Sequence, residues 1–348
     1  MKRESIRIYF KSHFKEQSMQ DIRTNWTKEE IKELFEKPLL DVVYDAAGLH
    51  RKYHNHHQVQ MCTLLSVKTG GCSEDCGYCA QSARYKTDVK ATKLLNVAEV
   101  LENAKTAKQN GSTRFCMGAA WREVRDGKDF DDVVEMVEGV TGMGLEACVT
   151  LGMLNENQAD RLAKAGLKAY NHNIDTSPEY YGTVIHTRQL ADRLKTIENV
   201  RKSGVSVCSG GIIGMGETTE DRIAMLHTLS TMPEHPESVP INALVAVEGT
   251  PLENQKPINP FEFVRMIAVA RILMPKAMVR LSAGRMTLSD EAQAFCFMAG
   301  ANSIFTGEKL LTTGNPGFEH DHNLLDILGL EGKEPFASEF SITSEEMH

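Results

Sequence analysis

Apolar and polar positions sort the chain into a regular alternation. Residues 27–35 carry a helical spacing, with Thr27 as N-cap and Glu29 and Glu30 in the first turn. Pro38 marks the end of that helix, and a second helical stretch covers 41–53. Residues 59–67 are rich in strand formers and lead into a loop of glycines and cysteines. Beyond it, helical spacing covers 96–109, 129–140, 155–165, 187–202, 218–231, 260–273 and 288–299. Strand-like runs separate them at 113–117, 146–151, 168–174, 205–208, 239–247, 278–282 and 302–305. With 59–67 that makes eight strands and seven helices. Such alternation indicates parallel βαβ units, and eight of them suggest a (β/α)8 TIM-type barrel with an N-terminal helical extension and a short C-terminal tail. Periodicity alone does not separate a closed barrel from an open sheet.

Residues of equal parity share a face of a strand. Arg114 and Cys116 oppose Phe115 and Met117, and Cys148 and Thr150 oppose Val149 and Leu151. Asn171, Asn173 and Asp175 form one set, Ser206 and Cys208 another, and Asn242 stands against Ile241 and Ala243. Arg280 and Ser282 oppose Val279 and Leu281. Polar and sulfur-bearing side chains therefore gather on the face away from the helices. Ordinary barrels fill that face with branched apolar groups. A polar one is costly unless its groups pair or bind something, which implies a lumen that holds ligands.

Composition narrows the class. The chain has 348 residues, 41% hydrophobic and 25% charged, with a net charge of −8. It is long enough for a barrel of about 250 residues with extensions. An acidic balance argues against nucleic acid or an anionic membrane as partner. No stretch reaches the roughly 18 consecutive apolar residues of a membrane span, and residues 1–20 lack the apolar core of a secretory signal. Eight cysteines in a chain this long read as metal ligands in a reducing cytoplasm rather than as a disulfide scaffold.

The chemistry concentrates in the loop after the first strand. Cys72, Cys76 and Cys79 follow Gly70 and Gly71, with Tyr78 before the last cysteine. Three soft thiolates select zinc or an iron–sulfur cluster, and a three-ligand set leaves one metal position open for substrate. A structural zinc site would want a fourth ligand. His54, His56 and His57 precede the loop, but no second C-x2-C pair follows it. His54–His57 and His320 with His322 read as solvated loops, since neither group has a third ligand at a convincing spacing. The run Ser209 to Glu217 is glycine-rich but lacks both a lysine and the dinucleotide spacing, and Glu217 and Glu220 would repel phosphate. Cys116, Cys148 and Cys208, on three strands beside Arg114 and Arg280, look like a second metal site. Two guanidiniums could offset their charge. Cys62 and Cys296 read as ordinary buried thiols.

The C-x3-C-x2-C loop resembles that of the radical S-adenosylmethionine (SAM) enzymes. The longer stretch from Thr69 to Tyr85 resembles the biotin synthase family among them. So do the contexts of Cys116, Cys148, Cys208 and Arg280, and the similarity covers roughly residues 20–320. The resemblance implies a 4Fe–4S cluster on Cys72, Cys76 and Cys79, with SAM on its open iron. It also implies a 2Fe–2S cluster on Cys116, Cys148, Cys208 and Arg280. Spacing alone would not suggest an arginine ligand, because a guanidinium is almost always protonated. Tyr78, Asn173, Asp175 and Ile212 would contact SAM, and Asn171, Asn173 and Asn242 would face dethiobiotin. The implied activity is radical insertion of sulfur into dethiobiotin, the last step of biotin biosynthesis. A flavodoxin-type electron donor and a cytoplasmic homodimer are implied with it, without nucleic acid or membrane partners. Another radical SAM barrel, a non-enzymatic iron–sulfur carrier and a structural zinc protein are the other readings. The expected organisation is a tail or misassigned start at 1–20, a barrel domain at 21–322 and a C-terminal tail at 323–348.

Overall fold

The computed structural model describes residues 22–334. The tail at 1–20 and the end of the C-terminal tail lie outside the described residues. The first helix, α1 (Lys28–Glu36), starts on a capping box: Thr27 Oγ1 accepts the Glu30 amide, and the Glu30 carboxylate accepts the Thr27 amide. Next comes α2 (Leu39–Tyr53), whose buried face of Val42, Val43, Ala46, Ala47 and His50 packs on the barrel's outer helices.

The barrel then runs in regular order. It begins with β1 (Gln58–Lys68), α3 (Val97–Gln109), β2 (Arg114–Ala119), α4 (Lys128–Gly142), β3 (Glu146–Thr150), α5 (Glu156–Lys164) and β4 (Ala169–Asn171). Two helices follow, α6 (Pro178–Val184) and α7 (Leu190–Lys202), before β5 (Ser206–Cys208), β6 (Gly211–Ile213), α8 (Thr219–Ser230) and β7 (Ser238–Ala243). The last units are α9 (Pro260–Leu273), β8 (Met278–Leu281), α10 (Asp290–Met298), β9 (Ser303–Thr306), α11 (Phe318–Leu328) and β10 (Glu331–Gly332).

All of these strand pairings are parallel, and β9 pairs with β1, so the sheet closes. Gly210 breaks one stave into β5 and β6; a Cβ there would lie 1.9 Å from the Pro240 carbonyl oxygen, so only glycine lets the two chains pass. Counted as one stave, β5 and β6 complete a closed eight-stave (β/α)8 barrel.

The alternation read from the sequence holds, with differences at several elements: the strand expected at 239–247 ends at Ala243, and β6 was not expected. Residues 178–184 form a helix, α6, that the pattern did not isolate, although Ser177 caps it and Pro178 opens it. The fourth strand is three residues long, and Asp175 turns the chain four residues further on with φ +69. Finally, α11 runs through the expected boundary at 322/323, and β10 pairs with the start of β1. The Arg285 guanidinium and the Asp321 carboxylate, both fully buried, tie α11 to the loop after β8. Outward-facing side chains such as Phe115, Met117, Val149, Val239 and Val279 are buried under the helices in one continuous core.

Candidate active site

A cavity of about 320 Å3 opens at the C-terminal ends of the strands. Cys72, Cys76, Tyr78 and Cys79 line its mouth side, and Asn171, Asn173, Asp175, Ile212 and Asn242 line its walls. Cys116 reaches it from β2. Below lie Cys148 and Cys208, both fully buried, with Cys148 in register beside Cys116. Asn171 on the wall donates to Cys208 Sγ at 3.3 Å, so wall and floor touch. Closure of the barrel thus brings the two cysteine sets to one space.

Gly70 and Gly71, both left-handed (φ +68 and +69), start the cysteine loop. Its acidic residues hold it in place. Asp75 accepts the backbone amides of His186 and Thr187 at 2.9 and 3.0 Å. Glu74, buried, pairs with Arg122 at 3.2 Å and accepts the Thr187 hydroxyl. Burial raises the Cys76 thiol to about 11 and the Cys79 thiol to about 12. Both groups are therefore neutral until a cation or cluster supplies charge, the expected behaviour of thiols that bind metal with loss of a proton. Among the described residues no three Cys, His, Asp or Glu side chains stand close enough to hold a single metal ion. The ligands of a multi-iron cluster are spread over several irons.

Asp175 is the hinge of the polar wall. Tyr78 donates its hydroxyl to Asp175 Oδ2 at 2.7 Å, and the Arg193 guanidinium pairs with the same oxygen. Arg193 also donates to the Asn173 carbonyl and the Tyr181 hydroxyl, each at 2.7 Å. Burial opposes the Arg193 charge, but Asp175 together with Tyr78, Tyr181 and Cys76 outweighs it and its pKa rises. The left-handed backbone at Asp175 is strain of the kind that collects at functional sites. Asn173 Oδ1 accepts the Gly210 amide, which leaves its own amide hydrogens free for a ligand. Asn242 is more committed: it donates to the Gly211 carbonyl and accepts from the Ala283 amide, keeping one hydrogen and one lone pair. In the glycine-rich run, Glu217 accepts the Gly214 and Met215 amides, so this nest of amides is filled by its own carboxylate.

Four residues escaped the sequence reading. Arg188 and Arg193, on and just before α7, reach back into the cavity. The Arg188 side chain is 8% exposed, and its Nε and Nη1 find no hydrogen-bond partner among the described residues. Its Nε stands 3.8 Å from the Glu74 carboxylate, an ion pair without a hydrogen bond, so the guanidinium keeps donors that suit a further carboxylate. Glu146 and Gln60 complete the floor. Arg114 donates to Glu146 at 2.7 Å, and Gln60 donates to the same carboxylate at 3.1 Å. Glu146 has the parity of Cys148, a usable signal; nothing in the sequence pointed Arg188 inward.

Arg280 is fully buried at the floor. Its Nη1 lies 3.7 Å from Cys208 Sγ, and its Nε donates to the Ser303 hydroxyl at 2.8 Å. Burial opposes its charge, yet the Cys62 and Cys208 sulfurs raise its pKa overall. Three thiols and two cationic guanidiniums form a donor set suited to an electron-rich iron–sulfur group. The histidines stand elsewhere. His54 Nε2 meets the Pro275 carbonyl at 2.9 Å, so it is not a solvated loop residue, while His320 and His322 sit on α11, where His320 meets Asp290 at 3.0 Å.

A closed parallel barrel with a three-cysteine loop at its strand ends defines the radical SAM class. The Radical SAM superfamily model matches residues 66–229, and the Biotin and Thiamin Synthesis associated domain matches 240–331. Among solved structures, methylornithine synthase aligns with a TM-score of 0.74 at 20% identity, covering 89% of this chain and 94% of that one. The hydrogenase maturase HydG gives 0.74 at 15% identity, covering 88% and 72%. These likenesses speak for the fold. The sequence relatives narrow it. Biotin synthase of Cytophaga hutchinsonii is 62% identical over 318 residues, 91% of this chain and 94% of that protein. The mitochondrial biotin synthase of Arabidopsis thaliana is 59% identical over 324 residues, 93% and 86%. That of Synechococcus elongatus is 60% identical over 316 residues, 91% and 99%. The chain belongs to the biotin synthase family. It is a radical SAM enzyme that inserts sulfur, and its family implies a 4Fe–4S cluster and SAM.

Proposed function

We propose that Cys72, Cys76 and Cys79 hold the 4Fe–4S cluster, that Cys116, Cys148, Cys208 and Arg280 hold a 2Fe–2S cluster, and that dethiobiotin lies between them. The observation that carries this is one cavity with the loop thiols at its mouth and Cys116 at its floor. When bound, the first cluster would supply an electron for radical chemistry on SAM, and the second would supply the sulfur. The chain's own residues do the rest. Arg188 meets the SAM carboxylate, and Asp175 accepts from the ribose hydroxyls, held in position by Tyr78 and Arg193. Ile212 covers the adenine. Asn171, Asn173 and Asn242 face the ureido ring, which offers both donors and an acceptor. Leu310 and Leu311, on the loop after β9, line the opposite wall and keep water from the reacting carbons.

A flavodoxin-type donor, a homodimeric assembly and a cytoplasmic location belong to the same proposal, as does the absence of nucleic-acid or membrane partners. Among the described residues no helix is long and apolar enough to cross a membrane. Anaerobic iron and sulfide analysis with Mössbauer spectra on wild type and Cys148→Ala tests the two-cluster reading. About six irons per wild-type chain, with the 2Fe–2S signal lost and the 4Fe–4S signal kept in the variant, are expected. About four irons after full reconstitution, unchanged by the substitution, would remove the second cluster.

A further inference from the structure

Residues 83–96, which follow the cysteine loop, form neither helix nor strand. They are nevertheless tied to that loop along their length. Arg84 Nε donates to the Ser73 carbonyl at 3.1 Å, and the Tyr85 hydroxyl donates to the Asp75 carbonyl. Thr87 Oγ1 donates to the Ala80 carbonyl at 2.7 Å, and the Thr92 amide donates to the Thr69 carbonyl at 2.8 Å. The contact is close: a Cβ on Gly70 would lie 3.0 Å from Ala91 Cα. A loop held by its backbone and hydroxyls presents its remaining side chains as a fixed surface. Here those side chains are Arg84, Lys86, Lys90 and Lys93, all exposed and none in an ion pair among the described residues. Surface lysines elsewhere do find acids, as Lys28 finds Glu179, Lys128 finds Asp132 and Lys202 finds Glu156. Of the acids on the same rim, Asp75 is taken by the His186 and Thr187 amides and Glu253 by the Gly249 amide. Asp88 and Glu248 are left, exposed, against four cations.

This rim borders the part of the cysteine loop most open to solvent. Cys76 is buried, whereas Cys72 is half-buried and has exposed Gly71 and Ser73 on either side. The Cys72 amide donates to the Gln81 carbonyl at 3.0 Å, and the Ala83 amide donates to the Cys72 carbonyl at 2.7 Å, so the basic segment starts on Cys72 itself. We propose that Arg84, Lys86, Lys90 and Lys93 form the docking surface for an acidic one-electron carrier protein, whose electron enters the first cluster at the Cys72 edge. The proposal rests on the reading of the loop as a 4Fe–4S site served by a flavodoxin-type donor. One electron crosses: the carrier is oxidised by one and the cluster reduced by one, and no group is transferred. The chain has a net charge of −8, so an acidic partner is repelled by it as a whole. A local basic rim reverses that repulsion at one place and orients the partner there. Steering of this kind raises association rates about ten- to a thousandfold and is lost as salt rises.

The test uses the full chain, reconstituted anaerobically, as wild type, a rim variant (Lys86→Glu, Lys90→Glu, Lys93→Glu) and a distal variant (Lys52→Glu, Lys164→Glu, Lys276→Glu). The distal lysines are exposed and lie just before β1, β4 and β8, at the opposite end of the barrel, so the two variants match in net charge. The probe is flavodoxin, an acidic carrier. Stopped-flow absorbance reads cluster reduction by its reduced form, and isothermal titration reads binding of its oxidised form. The rim variant should lose about tenfold or more in affinity and in second-order rate at low salt, while the distal variant stays near the wild type. Added salt should slow the wild type toward the rim variant. Photoreduced deazariboflavin, an uncharged reductant, should reduce all three at one rate. The proposal is overturned if the rim and distal variants behave alike toward flavodoxin, and a changed sedimentation coefficient in the rim variant would then assign the face to a second copy of the chain. A rate lost equally with both reductants would place these lysines in holding the cluster and also overturn it. Failure of the donor reading looks different: the wild type would accept electrons from deazariboflavin and none from flavodoxin. A wild type with no reducible cluster would remove the 4Fe–4S reading, and this proposal with it.

Discussion

The ion pair between Asp175 and Arg193 permits a worked prediction. Both side chains are almost fully buried, at 3% and 5% exposure. Arg193→Met leaves the Asp175 carboxylate with only the Tyr78 hydroxyl, and strands the Asn173 carbonyl and the Tyr181 hydroxyl. Removing one partner of a buried pair costs about 3–5 kcal/mol, because the other charge stays buried without compensation. Asp175→Asn should cost a similar amount by stranding the guanidinium. The double variant removes both charges, so its loss should be no larger than that of either single variant. The coupling is then at least about 3 kcal/mol, far above the few tenths expected of independent sites. Urea unfolding of the cluster-free chain, followed by circular dichroism on all four proteins, measures it. Strict additivity of the two single losses would refute the argument that the pair neutralises itself in a dry wall. Equilibrium dialysis with SAM should show weaker binding in both single variants, since the carboxylate proposed to accept the ribose hydroxyls has lost either its charge or its support.

Three further outcomes follow from single contacts. Arg188→Met should weaken SAM binding about ten- to a hundredfold, the value of a charged hydrogen bond of about 1.5–3 kcal/mol, and an unchanged dissociation constant would contradict its carboxylate role. Gly210→Ala drives a methyl group into the Pro240 carbonyl and should lower the thermal midpoint by several degrees or prevent accumulation of folded chain; a wild-type melting curve would show that the stave can give way. Burial, helped by Arg271, lowers His50 to about 3. Its folded pKa lies below the unfolded value, so the neutral ring stabilises the fold above about pH 6.5 and that stability fades as pH falls toward 3. Going from pH 7 to pH 5 should cost the cluster-free chain about 2 kcal/mol from this residue alone, and His50→Gln should flatten that slope in urea titrations.

Much of the fold is legible in the chain because each βα unit carries its own local signature. Thr27 with Glu30, Asn96, Asn155 with Gln158, and Thr218 with Asp221 cap their helices through neighbours three residues away. The parity of Cys116, Cys148, Asn171, Cys208 and Arg280 sorts them onto one face before any contact is known. The cysteine loop is legible for the same reason, since its three cysteines lie within eight residues of one another. The short helix α6 was legible only in its Ser177 cap, too little periodic sequence to stand apart from its neighbours.

What the chain order alone could not decide is which faces meet. Parity places Cys62 and Gln60 on one side of β1, but only the pairing of β9 with β1 turns that side toward Arg280 and Ser303. Arg188 and Arg193 lie on the helical side of the chain, where an arginine is ordinarily solvated. They become site residues because the left-handed turn at Asp175 and the loop through α6 carry the start of α7 over the mouth of the barrel. Local propensity and side-chain alternation act over a few residues and determined the elements and their faces. Barrel closure acts over the whole chain, and it alone decided that eight strand ends surround one cavity with sulfur at both its mouth and its floor.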